Sequence, residues 1–155
     1  MPKFRALELA IEQATQQRDG QARLHAQAIR ARDHAKAQLS QLENYATDTD
    51  SRWIGGHAIN LSVELVKHHY QFMDRLQNAV HLQQDVIAKL ERQLDAAHQR
   101  LLQAEFRLAG FKQVIRSRRV AQQVVQARRE QRATDEFAAQ RHSRERAMQT
   151  MEEMS

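Results

Sequence analysis

The stretch TDTDSRWIGG, residues 47–56, decides how the rest of the chain is read. Asp, Thr and Ser hydrogen-bond to nearby backbone in non-helical conformations, so they disfavour helix interiors, and paired glycines permit a sharp reversal. This is the strongest turn signal in a sequence almost without helix breakers: 155 residues hold four Gly and one Pro, which is Pro2. The reading is a first arm at about 3–47, a turn at about 48–58 and a second arm at about 59–145. Trp53, Ile54, Ile59, Leu61, Val63 and Leu65 make the tip more apolar than a solvated turn requires. A short helix or a local cap is therefore expected to interrupt the second arm there.

Beyond the turn the apolar residues repeat every seven. With Ile59 at position a of a heptad, the following a positions are Val66, Met73, Val80, Ile87, Leu94, Leu101, Leu108 and Ile115. A strict seven-residue period implies a left-handed supercoil against another helix. The d positions are Ser62, His69, Leu76, Gln83, Leu90, Ala97, Ala104, Phe111 and Arg118, a patchier row whose alanines allow close approach. Before the turn, Phe4, Ile11, Leu39 and Ala46 fall at a, and Leu7, Ala14, Ala28, Ala35 and Leu42 at d. Arg18, Gln21, His25 and Arg32 interrupt that seam. Either the helix shifts phase there toward Leu24, Ala28, Ala31 and Ala35, or the long side chains snorkel past the contact. The expected fold is all-α: an elongated antiparallel two-helix coiled-coil hairpin forming a single domain over residues 1–155.

Antiparallel pairing about an axis near residues 58–59 sets Tyr45 against Phe72, Leu42 against about Leu76, and Gln38 against Ala79. Leu42 and Leu76 are then inside the seam at d, while Gln38, Tyr45, Phe72 and Ala79 lie on its flank at g. The same arithmetic puts Phe4 opposite residues 113–114, so that a basic overhang without an intrachain partner begins at about residue 116. Phe72, Leu76 and Ala79 follow the spacing i, i+4, i+7, beside the seam row of Val66, Met73 and Val80. Two apolar rows on one helix suit either the wide core of a three- or four-helix bundle, such as dimerisation would form, or an exposed flank that recognises a partner.

Composition limits the function classes. Net charge is +5, with 41% hydrophobic and 28% charged residues. The excess is local: residues 112–155 carry ten Lys/Arg against six Asp/Glu, while residues 1–50 balance seven against seven. No run of about 18 apolar residues occurs, so neither a membrane span nor a signal peptide is expected. The absence of cysteine excludes disulfide and thiolate chemistry and fits a cytoplasmic setting. Eight histidines invite a metal reading, but His68 and His69, as helical neighbours, point about 100° apart and cannot share an ion, so both are read as solvated surface. No glycine-rich phosphate loop or nucleophile elbow is present; no cofactor and no catalytic activity are expected. Arg116, Arg118, Arg119, Arg128, Arg129 and Arg132 could meet nucleic acid, as in zipper-type binders. Glu130, Asp135, Glu136 and Glu145 interrupt that run, and Val120, Val124, Val125 and Phe137 add an apolar stripe suited to protein, so a protein partner is favoured over nucleic acid.

The order and spacing of QLSQL at 38–42, Tyr45, YQFMDRL at 70–76, Ala79 and DEFA at 135–138 resemble the FliJ family of the bacterial flagellar type III export apparatus, and the injectisome stalk proteins related to it. The resemblance runs over most of the chain. It implies an antiparallel coiled coil similar to the central shaft of rotary ATPases. It further implies a non-enzymatic stalk that couples the export ATPase ring to the export gate, binds export chaperones, and sits in the cytoplasm peripherally associated with the inner membrane. A gate-binding patch is carried over to Gln38, Leu42, Tyr45, Phe72, Leu76 and Ala79. Two patch positions depart, since Thr49 stands where an aromatic is usual and Gln83 replaces a histidine. The tail arginines are the expected ring contact, and the free chain is expected to be a monomer. The competing readings are a coiled-coil homodimeric adaptor and a basic nucleic-acid-binding protein.

Overall fold

The computed structural model describes residues 4–55 and 62–155. Two helices account for nearly all of them: α1, Arg5–Gly55, and α2, Val63–Met154, packed against each other as a hairpin, with no strand among the described residues. The end of α1 departs from the sequence reading. The helix continues through residues 48–55, which were expected to turn. Thr47 donates its hydroxyl to the Glu43 carbonyl at 3.0 Å, one helical turn back, so its polar group is satisfied without leaving the helix. Trp53 stacks on His69 of α2, with centroids 4.0 Å apart and planes 2° from parallel, and Asp50 lies 3.7 Å from the same imidazole. These tertiary contacts hold the last turns of α1 against weak local propensity.

Helix α2 begins at Val63 rather than 59 and runs to Met154 rather than 145. Ser62 is its N-cap: its Oγ accepts from the Leu65 N–H at 3.3 Å, and its carbonyl accepts the first intrahelical bond from Val66 at 3.2 Å. Glu64 in the first turn adds a favourable charge at the positive end of the helix dipole. The anticipated interruption near Ile59 and Leu61 lies outside the described residues.

The heptad pattern determines burial. Every a and d residue of α2 from Val66 to Ile115 is buried or half-buried, as is every a and d residue of α1 from Phe4 to Trp53. In α1, Arg18, Gln21, His25 and Arg32 stay in the seam, whereas Leu24 and Ala31 are exposed, so the helix keeps its phase. The guanidinium groups of Arg18 and Arg32 reach sideways to Asp19 and Asp33, at 2.8 and 3.0 Å. Their stems therefore fill the contact while their charges stay near water.

The chain groups into two compact units, one of the start of α1 through Glu12 with Ala109–Ser155, the other of Gln13–Leu108. Within the larger unit, Tyr45 meets Phe72 as the pairing axis predicts, but Gln38 bonds Gln83 rather than facing Ala79. Within the smaller unit, Arg119 lies over the Phe4 ring at 5.8 Å and bonds Glu8 at 3.3 Å. Phe4 thus pairs about five residues beyond the expected 113–114. Side chains lean toward the N-terminus of their own helix, away from the turn in α1 and toward it in α2. Long side chains such as Gln38 and Phe4 therefore reach a later α2 residue than a backbone axis suggests. Beyond residue 116, where the overhang was expected to begin, Arg119 still reaches Glu8 of α1, and uninterrupted exposure begins at Gln123.

Candidate protein-docking site

The two flanks of the seam differ in chemistry. Lys36 of α1 and Glu91 of α2, both at e, approach to 3.4 Å. Oppositely charged e residues facing across a pair are a common way to close a coiled-coil margin. On the other flank, Tyr45 and Phe72, both at g, meet edge to face with centroids 6.1 Å apart and planes at 79°. That geometry sets the positive edge of one ring against the negative face of the other. Yet Tyr45 is 56% exposed and Phe72 39%, so the pair leaves much of its surface to solvent. The first margin also exposes Tyr70 at e, but a pair of rings contributed by both helices meets on the second.

Around that pair the expected patch residues take different parts. Leu76 is buried and serves the seam. Leu42 and Ala79 are half-buried, and Gln38 is exposed. Gln38, Leu42 and Tyr45 line one shallow depression of about 510 Å³, together with Gln41 and Gln83. Gln83 fixes its rim, donating from Nε2 to the Ala35 carbonyl at 2.9 Å and to the Gln38 Oε1 at 3.1 Å. The fold therefore brings Gln38, Leu42, Tyr45, Phe72, Leu76 and Ala79 from both helices onto one side of the larger unit. Gln41 was missed from sequence because it sits at position c, where a seam argument does not look.

The six arginines of the basic set divide. Arg116 donates to the Lys112 carbonyl of its own helix at 3.3 Å, and Arg119 is engaged by Glu8 and Phe4. Arg118 and Arg129 line a depression of about 350 Å³ with Phe4, Gln122 and Val125. Arg128 and Arg132 are exposed along α2. His69, read from sequence as solvated, has a side chain only 7% exposed because its d position carries it into the seam. Among the described residues no three His, Asp or Glu side chains converge as a metal site would require, and no helix is long and apolar enough to cross a membrane. What the arrangement offers is a solvent-facing apolar and amide surface on a paired helical scaffold, suited to protein recognition.

The comparison with protein families agrees with this scaffold. Residues 3–147 match the family described as flagellar FliJ protein. The chain belongs to the FliJ family. As a FliJ-family member it is a flagellar protein associated with export. No match was found among curated proteins or among solved structures. The match covers α1 and α2 as far as residue 147, and so takes in the Tyr45–Phe72 pair and all six arginines.

Proposed function

We propose that this FliJ-family chain is a non-enzymatic stalk that couples the export ATPase ring to the export gate and binds export chaperones. It works in the cytoplasm, peripherally associated with the inner membrane. The Tyr45–Phe72 flank grips the cytoplasmic domain of the gate, with Gln38, Leu42 and Ala79 forming its margin and Leu76 supporting it from the seam. Arg118, Arg128, Arg129 and Arg132 meet the ring, since Arg119 is paired with Glu8 of α1 and Arg116 folds back on the Lys112 carbonyl of its own helix. The observation that carries the reading is the exposed aromatic pair, contributed by both helices of a family member at the spacing of the family patch. Exposed aromatics on a rigid scaffold carry a disproportionate share of binding energy at protein interfaces.

Calorimetric titration of the purified cytoplasmic gate domain tests this. Phe72→Ala removes a ring that is not part of the seam, and is expected to weaken binding about tenfold or more. Unchanged affinity sinks the gate assignment. Leu76→Ala is a poorer probe, because the buried leucine also supports the helix pair, so helicity is measured alongside.

A further inference from the structure

The exposed apolar surface does not stop at Phe72. Successive g positions of α2 hold Leu65, Phe72, Ala79 and Val86, and Leu65 is 50% exposed and Val86 45%. At 1.5 Å per residue this row is about 30 Å long. In an antiparallel pair the g rows of the two helices share a flank, as the Tyr45–Phe72 contact demonstrates here. The cleft between two such rows is the shape that receives a third helix.

The charge around this row has one dominant sign. At the g and c positions bordering it, Arg52, Arg75 and Lys89 are exposed, against Asp48. None of the three cations has an ion-pair partner among the described residues. Over the same turns, the opposite flank carries Glu43, Asp50, Asp74 and Glu91 against Lys36 and Lys67. The apolar row and the unpaired cations thus coincide on one side.

We propose that the flank from Leu65 to Val86 docks an acidic amphipathic helix. Apolar residues of that helix at heptad spacing fill the cleft along the α2 row, and carboxylates on its margin pair with Arg75 and Lys89. A second copy of this chain suits the flank poorly. Symmetric pairing would bring the same cations together, and on the copy's other flank the exposed Val63 and Tyr70 give way to Gln77, Gln84 and Glu91, so no apolar row runs the length of this one. The inference rests on the docking role of the Tyr45–Phe72 surface and extends it to new residues and to the chemistry of the partner.

The test uses the full chain and two synthetic helical peptides with Leu at heptad spacing, one flanked by Glu and the other by Lys. Binding is read by fluorescence anisotropy for the natural chain, the double variant Arg75→Glu/Lys89→Glu and the double variant Leu65→Ser/Val86→Ser. All four positions are exposed, and circular dichroism checks that the helices persist. The Glu peptide is expected to bind, to lose about tenfold in affinity in each double variant, and to weaken as salt rises from about 50 to about 500 mM. The Lys peptide is expected not to bind. Equal binding of the two peptides, no binding of the Glu peptide, or indifference to both double variants overturns the proposal. So does a dimer of the natural chain that Leu65→Ser/Val86→Ser dissociates, which assigns the flank to a second copy. A gate domain that fails to bind while the Glu peptide behaves as expected sinks the gate reading alone. A gate domain that binds through Phe72 but ignores charge reversal and salt sinks the acidic helix alone.

Discussion

Gln21 occupies a d position in α1, and its side-chain oxygen is buried without a hydrogen-bond partner. Leaving a buried acceptor unmet costs on the order of 1–3 kcal/mol, whereas the same space filled with hydrocarbon contributes to the seam. Gln21→Leu is therefore expected to stabilise the hairpin by about 1–2 kcal/mol. The gain is read as a higher urea midpoint with an unchanged slope. A midpoint that does not rise means that solvent already satisfies the oxygen. His25 is a different case among the polar seam residues, since its ring packs 5.4 Å from His98 at 40° and occupies the contact as a flat, half-buried plate.

At the scale of the helix, two glycines sit in uninterrupted α-helix without any visible use for them. A Cβ at Gly110 would meet nothing within 4 Å, and one at Gly20 would meet only the far end of the Arg23 side chain at 3.9 Å. Glycine in a helix interior costs roughly 0.5–1 kcal/mol relative to alanine, because more backbone freedom is lost on folding. Gly20→Ala and Gly110→Ala are each expected to raise stability by about that amount. Lying in different units, they should add in the double variant, as measured by thermal unfolding. Non-additivity would reveal that the two regions unfold with shared contacts. The same scale shows what the sequence makes legible. The seven-residue repeat locates every seam residue of α2 from Val66 to Ile115, because burial in a helix pair follows period alone. The end of α1 was not legible: local propensity reads TDTDS as a turn, and only the stacking of Trp53 on His69, a contact across helices, reverses that preference. The docking flank falls between these cases. Tyr45 and Phe72 follow from the pairing axis, but the bonds from Gln83 to Ala35 and Gln38 depend on the lean of long side chains, which an axis through the backbone does not carry.

For the molecule as a whole, the question is what stabilises the end of α2. Every residue from Gln123 to Ser155 is exposed, including Phe137 and Met151, so this segment gains no helix stability from burial. Its remaining supports are local: side-chain bonds such as Gln126 to Glu130 at 3.3 Å and Gln131 to Asp135 at 3.1 Å, and the Arg141–Glu145 ion pair at 3.5 Å. Exposed pairs of this kind contribute only a few tenths of a kcal/mol each, and a helix resting on propensity alone frays readily. In the free chain, backbone amides of residues 127–154 are therefore expected to exchange with deuterium far faster than those of 66–115. Adding the assembled ATPase ring should slow the tail selectively, because burying Val124, Phe137 and the neighbouring arginines supplies the tertiary contact the segment lacks. Replacing Arg128, Arg129 and Arg132 by Ala should abolish that protection while leaving exchange at 66–115 unchanged. Slow exchange of the tail without the ring, together with sedimentation as a dimer of the 18.0 kDa chain, would instead mean that a second copy covers it. The apolar residues of the tail would then belong to a homodimeric adaptor rather than to a stalk.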